Sequence, residues 1–328
     1  MFKILDVITI GSATRDVYLK SEGFEIRKHS DSPTGLEQCF PLGTKIEVKD
    51  IVFTTGGGGT NAAVTFSRQG LKTGCVGAVG NDFNGKEIIK ELKREKVKPF
   101  FSVHKDDPTA YSVILVHPNA ERTILSYKGE GQHFDINTVP WRKLKAKWFF
   151  FDSMGGNWEL LQKAFEHATT RNFKIAFNPG GKELAFGLKK LKPHLAEVDI
   201  FSVNKEEAES LLGMGNNNPA EEVLKELDKL IKGITVLTLG PEGVIVSDKK
   251  NIYKAGTPDS PKKERTGAGD AFVSGFVAQY ILSGGDIIKS IQFATANASS
   301  VVAQYGPKAG ILHKGDFGPW ELVEIDGV

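Results

Sequence analysis

Two glycine-rich turns contain the residues through which this chain could hold a ligand and react with it. The first is Arg265-Thr266-Gly267-Ala268-Gly269-Asp270-Ala271-Phe272, which opens a helical pattern. Gly267 and Gly269 let a bound group come close to the backbone, and the N–H groups of a helix start, with the helix dipole behind them, favour an anion. A carboxylate on such a turn repels an anion, so Asp270 needs a reason to be there. One reason is chemical: Asp270 would take the proton from a hydroxyl as it attacks a phosphorus held by Gly267, Ala268 and Gly269. That is general-base catalysis beside a preorganised anion hole. The other is local, because an acidic residue in a first turn stabilises its own helix through dipole and capping. The turn by itself leaves both open.

The second turn is Gly56-Gly57-Gly58-Gly59-Thr60-Asn61-Ala62-Ala63. Four glycines ahead of a helix expose another N-terminus, and Asn61 offers a donor and an acceptor to a polyhydroxyl ligand. A flexible loop is the alternative, weakened by Gly70 and Gly80, whose spacing fits a helix and then a strand, each ending in a turn. A third stretch, Gly80-Asn81-Asp82-Phe83-Asn84-Gly85-Lys86-Glu87, approaches a P-loop but has Glu87 where Mg²⁺ ligation needs Ser or Thr. It reads instead as a glycine turn with Asp82 near a helix start. Asn204 and Glu207, three apart at a helix start, could face a cleft holding a hydrated Mg²⁺; their spacing fits a capping box better. Thr238-Leu239-Gly240-Pro241-Glu242-Gly243 is a turn between strands that could bracket a nucleotide or simply reverse the chain.

The elements that must place these residues alternate. Residues 4–10 read as a buried strand, 60–70 as a helix, 72–79 as a strand and 84–96 as a helix with Ile88, Ile89 and Leu92 on one face. Later strands fall at 148–151, 173–177, 199–202 and 234–239, and helices at 158–170, 205–212, 220–231, 268–282 and 286–303. This is βαβ grammar. Two excursions interrupt it: residues 17–50, with an alternating piece at Lys45–Lys49, and strands at 111–117 and 122–127 around a turn at Pro118–Glu121. The expected fold is α/β: a doubly wound, mostly parallel sheet flanked by helices, in a single domain over 1–328. Two insertions at about 17–51 and 101–128 build a small β-sheet lid.

Composition narrows the function classes. Among 328 residues, 42 Lys and Arg balance 40 Asp and Glu to a net charge of +2, so nothing argues for nucleic acid or an anionic membrane as partner. Two cysteines, Cys39 and Cys75, make neither a disulfide framework nor a zinc site. No apolar run approaches the roughly 18 residues of a membrane helix, and residues 1–10 read as a strand rather than a secretory signal. A cytoplasmic location is expected.

Taken in order, Gly57-Gly58-Gly59-Thr60-Asn61 through Gly70 to Gly80, and Thr266-Gly267-Ala268-Gly269-Asp270, resemble the ribokinase-like (PfkB) carbohydrate kinase family. The resemblance covers nearly the whole chain. It implies ATP-dependent phosphorylation of a hydroxymethyl group on a sugar, with Asp270 as base and Gly267, Ala268 and Gly269 as backbone donors. It further implies that Asp16, Gly57, Gly58 and Asn61 hold acceptor hydroxyls and that Asn204 and Glu207 face the phosphates and Mg²⁺, Glu207 through water. Thr238, Gly240 and Gly243 would meet the nucleotide, and Asn297 its adenine side. Two departures stand out. Glu264-Arg265-Thr266 replaces the usual Asp-Thr-Thr, which leaves open the monovalent cation that some relatives bind there, and Gly58 replaces the Lys usual in ribokinases proper, which argues against ribose. Arg122, at the start of a lid strand, could reach an acceptor or decorate the flap, and reads better as decoration.

A nucleoside kinase of the same fold is the nearest alternative. A sugar- or nucleotide-binding regulatory protein is another, opposed by the intact Asp270 turn. A dinucleotide oxidoreductase is disfavoured because Gly11-Ser12-Ala13-Thr14 lacks the later glycines of that fingerprint. The partner expected is a small sugar or nucleoside, with a homodimer through the edges of the lid.

Overall fold

The computed structural model describes residues 4–32, 35–117, 122–129 and 134–327. The chain begins with β1 (Leu5–Ile10), β2 (Thr14–Lys20), β3 (Glu25–Lys28), β4 (Leu36–Cys39) and β5 (Asp50–Gly56). Next come α1 (Gly58–Arg68), β6 (Thr73–Gly80), α2 (Phe83–Arg94), β7 (Lys98–His104), β8 (Tyr111–Val116) and β9 (Arg122–Tyr127). The middle holds β10 (Ala146–Phe151), α3 (Trp158–Thr169), β11 (Lys174–Phe177), α4 (Gly181–Leu184), α5 (Leu188–Leu195), β12 (Ile200–Asn204), α6 (Lys205–Leu212) and α7 (Ala220–Asp228). It closes with β13 (Ile234–Thr238), β14 (Val244–Ser247), β15 (Ile252–Ala255), α8 (Ala268–Ser283), α9 (Ile287–Val302) and β16 (Ile325–Gly327).

The large sheet has the order β16-β15-β14-β13-β12-β11-β10-β1-β6-β7. From β13 to β7 every neighbour is parallel; β14, β15 and β16 extend it antiparallel. Alternation along the strands builds two cores. Ile8, Ile10, Phe149, Phe151 and Phe177 pack on one side with α3 and α6, while Val7, Phe150 and Ala176 pack on the other with Phe66 of α1 and Phe276 of α8. Strands apolar on both faces require helices on both, which is why the sheet is doubly wound. The chain leaves β1 for β6 on one side and returns to β10 on the other. At such a switch point the strand ends open a crevice, and here Gly11 and Asp152 stand at its mouth.

A second sheet, β5-β2-β8-β9, pairs β2 parallel to β8 and is otherwise antiparallel. It is the small lid sheet of the expected fold. Asp16 of β2 lies beside Thr54 and Ser112 in register, so one face carries polar groups; the neighbouring row, Val17, Phe53, Val113 and Leu125, makes the opposite face apolar.

Several boundaries differ from expectation. Lys45–Lys49 is not a strand; the ladder starts at Asp50, because the Glu47 carbonyl accepts the Ser21 hydroxyl rather than a neighbouring strand's N–H. Helix α1 starts at Gly58 rather than Thr60, two glycines being enclosed in its first turn. The turn expected at Pro118–Glu121 lies outside the described residues, although β8 and β9 pair as an antiparallel couple. Strands β2, β7, β15 and β16 and helices α4 and α5 were not expected, whereas β14 is the strand expected after the 238–243 turn.

Candidate active site

The site lies where the starts of α1 and α8 meet the ends of β1 and β10. The glycines of the α1 turn are there for proximity. Gly57 has φ 92°, and a Cβ on it would sit 2.4 Å from the Ser12 carbonyl; one on Gly58 would sit 2.0 Å from Asp152 Oδ1. The Gly58 N–H donates to the Ser12 hydroxyl at 3.1 Å and the Thr60 hydroxyl to the Gly56 carbonyl at 2.7 Å, so this turn is held rather than flexible. Asn61, buried in the first turn of α1, donates from Nδ2 to Asp270 Oδ2 at 2.8 Å. Its Oδ1 is buried without a partner. A buried orphan acceptor costs free energy unless something donates to it, and a hydroxyl of a bound ligand would.

Gly267 starts α8 in the left-handed region, φ 81°, where a Cβ would sit 2.5 Å from the Pro307 Cβ. No side chain caps this helix, and Asp270 reaches across to α1 instead. The local capping role weighed from sequence is therefore absent. Helix α8 is apolar along its buried length, wedged against α1 and α9, so its first turn is the part left facing the cleft.

Three carboxylates share this end of the crevice. Asp16 accepts the Thr14 hydroxyl at 2.9 Å and lies against Gly56. Asp152, not anticipated from sequence, follows β10 directly, accepts the Ser153 N–H at 2.7 Å and packs on Gly58 and Gly11. Burial pushes all three carboxyls up from their ordinary value. Asp152 is pushed furthest, the Asp270 charge adding to burial; for Asp270 the Asn61 bond and the Lys308 charge pull the other way. A lone aspartate capping the run Trp148-Phe149-Phe150-Phe151 was the sequence signal for Asp152, since ligands gather at the carboxyl ends of parallel strands.

Lys308 is the second residue not anticipated. It is 3% exposed, donates from Nζ to Thr55 Oγ1 at 2.7 Å and lies 4.0 Å from Glu91 Oε2. Burial lowers its ammonium pKa, while the charges of Glu91, Asp16, Cys75 and Asp270 oppose that. Arg68 fixes its backbone by donating to the Lys308 carbonyl at 2.9 Å. Glu183, also buried, braces the loop after Asp152, accepting the N–H groups of Met154 and Gly156 at 3.0 and 2.7 Å.

Next to the Asp270 turn is a cleft of about 320 Å³, lined by Thr238, Gly240 and Gly243 on one side and Ala268, Gly269 and Phe272 on the other. Gly243 has φ 104° and would drive a Cβ to 2.0 Å from the Ala255 carbonyl, so only glycine fits there. Asn297 does not line the cleft. It is wholly buried, with Nδ2 donating to the Ala271 carbonyl at 2.8 Å and Oδ1 accepting the Leu312 N–H at 2.9 Å, while Thr295, Ala298 and Ser299 of the same helix face the cavity. Asn204 and Glu207 form a reciprocal capping box on α6, at 2.8 and 3.0 Å. Asn204 pairs with Thr238 across β12 and β13, which brings the box to the border of the cleft. Asp82 caps α2 and accepts three bonds, from Gly85 and twice from Thr109, a structural use that agrees with rejecting a P-loop.

Among the described residues no group of three His, Cys, Asp or Glu could hold a metal ion. A divalent ion here would draw most of its ligands from phosphate and water, the usual habit of Mg²⁺. Arg122 is not surface decoration: its Nε lies 3.2 Å from the buried Glu264 carboxylate.

The sheet order, the flanking helices and the small second sheet make this a ribokinase-like α/β fold. The model for the pfkB family carbohydrate kinases matches residues 5–314, and the chain belongs to that family. It is 26% identical over 275 residues to a nucleoside kinase of Methanothermobacter thermautotrophicus, covering 83% of this chain and 86% of that one. It is 29% identical over 236 residues to the ribokinase of Mus musculus, covering 69% and 71%. The Arabidopsis thaliana ribokinase complexed with ribose and ATP superposes with a TM-score of 0.72 at 19% identity, over 94% of this chain and 96% of that one. Among the described residues no helix is long and apolar enough to cross a membrane.

Proposed function

We propose that this protein is an ATP-dependent kinase that moves the γ-phosphoryl group to a hydroxymethyl group of a sugar, with Asp270 as the base. The observation that carries the reading is the Asn61–Asp270 bond, which points a half-buried carboxylate into the crevice from a helix start that it does not cap. One Asp270 oxygen is oriented by Asn61, and the other is left for the acceptor hydroxyl. The N–H groups of Gly267, Ala268 and Gly269 would receive the transferring phosphoryl. Phosphoryl transfer asks mainly for positioning and charge neutralisation, and backbone donors do this without side-chain reorganisation.

Asp16, the Gly57–Gly58 backbone and Asn61 Oδ1 would take acceptor hydroxyls. The cleft between Thr238, Gly240 and Gly243 and the start of α8 suits a nucleotide, with a flat base against the apolar wall of Phe272, Ala298 and Val302. Bound Mg²⁺ would neutralise phosphate charge, with Glu207 and Asn204 at the border of the cleft contributing through water. In the single domain over 1–328, the lid sheet β5-β2-β8-β9 would close over the acceptor and keep water from the phosphoryl group; residues 101–104, counted with the lid from sequence, belong instead to β7 of the large sheet. Ile51, Phe53, Leu125 and Tyr127 are exposed on the lid, and a second copy of the chain is the occupant that would cover them in a homodimer. We place the protein in the cytoplasm, acting on small molecules.

A nucleoside acceptor is the second reading, favoured by the nucleoside kinase relative that matches over 83% of the chain. A coupled ADP-release assay with MgATP against sugars and nucleosides decides between them. Turnover of a sugar alone supports the first reading, and turnover of a nucleoside alone supports the second.

A further inference from the structure

Glu264 sits in the turn that leads into α8, and its carboxylate shapes that turn. It is 1% exposed, and Oε1 accepts both the N–H of Thr266, at 2.7 Å, and the Thr266 hydroxyl. The N–H groups of Lys263 and Glu264 both donate to the Val302 carbonyl, pinning the approach to α9. One residue after Thr266, Gly267 turns left-handed against Pro307 and sets the direction of the first N–H groups of α8. A carboxylate buried this deeply is strongly unfavourable without a countercharge.

That countercharge comes from the other sheet. Among the described residues, the cation within ion-pair distance of Glu264 is Arg122, the first residue of lid strand β9, with Nε 3.2 Å from Oε1. Nε is buried and not aligned as a hydrogen-bond donor to any atom, so the contact is one of charge rather than of a directed bond. Tyr18 from the same sheet also reaches this point; its hydroxyl is buried without a partner, and the Glu264 charge adds to burial in holding it neutral. Oε1 of Glu264 already meets a guanidinium and both donors of Thr266, so a monovalent cation drawn to this carboxylate would have to displace the guanidinium.

We propose that Arg122 supplies the positive charge at the turn opening α8, so that the alignment of the anion hole depends on the lid and not on a bound monovalent ion. Arg122 is a positioning residue, acting on the phosphoryl site through Glu264 and Thr266. Strand β9 pairs with β8, which pairs with β2, the strand that carries Asp16. A lid settled on the acceptor at Asp16 thereby also seats Arg122 on Glu264, and the acceptor and phosphoryl sites become organised together.

The inference rests on the kinase reading, and its test separates the two. Full-length protein, Arg122→Met and Arg122→Lys are assayed for ADP release, and for MgATP affinity by calorimetry, in about 100 mM KCl, NaCl or tetramethylammonium chloride, at one ionic strength so that general screening is equal. The wild type should show the same kcat and nucleotide affinity in all three salts. Arg122→Met should lose about tenfold in kcat in tetramethylammonium, the scale of one lost charge-assisted contact, and recover part of it with K⁺ or guanidinium. Arg122→Lys should keep most of the activity. Strong activation of the wild type by K⁺ overturns the inference, as does an Arg122→Met protein that is folded and fully active without added cation. If no acceptor is turned over, the kinase reading fails, and the calorimetric comparison in the three salts still decides whether Arg122 or a bound cation organises the turn.

Discussion

Asn61 donates to Asp270 at 2.8 Å, although 209 residues separate them, and this bond joins the first turns of two helices that enter the cleft from different sides. It places a helix start that suits hydroxyls against one that suits a phosphoryl group. It also sets the carboxylate rotamer, so that one oxygen is committed and one is available. The Asn61 Oδ1 left without a protein partner marks where an acceptor hydroxyl would donate.

Removing the proposed base, Asp270, should show in turnover rather than in nucleotide binding. Asp270→Asn keeps the shape and the bond to Asn61, and should lower kcat by about 10²–10⁴, the usual span for general-base assistance. MgATP affinity by calorimetry should change little, since the backbone donors remain.

The buried carboxyls make a stability prediction with a definite sign. Asp152 has its folded pKa raised well above the ordinary value, so its protonated form favours folding, and that contribution is lost as pH rises through the folded pKa. Asp152→Asn removes the charge and keeps the shape. It should raise the melting temperature at pH 8, where the native protein otherwise carries a charge that burial disfavours. Near pH 4 the gain should vanish. Equal stabilisation at both pH values would mean that the charge is not the cause.

Lys308 should govern the acid limb of the activity profile. Its charge helps keep Asp270 ionised against burial, so removing it should move the pH at which kcat falls upward. Lys308→Met should also destabilise the fold by about 3–5 kcal/mol, because Glu91 and Asp16 lose a buried partner. The position of the limb is read from kcat against pH for whatever fraction is folded, which separates it from the stability loss.

Gly269→Ala tests the anion hole without disturbing the protein. A Cβ there meets nothing within 4 Å and the backbone is not left-handed, so the variant should fold as well as the wild type or gain up to about 1 kcal/mol. The added methyl group faces the cleft where a phosphoryl group would approach. MgATP affinity and kcat should both fall, and an unchanged enzyme would place the phosphates elsewhere.

The legible parts of this molecule were those whose function needs a missing side chain. Gly57, Gly58, Gly243 and Gly267 sit where a Cβ would strike backbone, a carboxylate or the Pro307 ring, so sequence spacing alone located both helix starts and the turn that borders the cleft. The parallel sheet was readable because strands buried on both faces carry unbroken apolar runs. What escaped depends on long-range packing. Lys308 is 253 residues from Thr55, and nothing near it in sequence marks it as buried between carboxylates. Arg122 is one charge on an exposed strand until the fold brings Glu264 to it. Asn297 was placed on the correct helix but on the wrong side, since a helix apolar over most of its surface does not disclose which position meets the cleft. The Lys45–Lys49 alternation satisfied the strand pattern without a partner strand to pair with.

The most direct measurement is ADP release by the wild type and Asp270→Asn with MgATP across a panel of sugars and nucleosides, alongside calorimetric MgATP binding. Turnover of a hydroxymethyl-bearing sugar by the wild type, abolished in Asp270→Asn while nucleotide binding persists, is the predicted result. Turnover that survives in Asp270→Asn at near the wild-type rate would contradict the assignment of the base, and MgATP binding with no turnover of any acceptor would contradict the kinase itself.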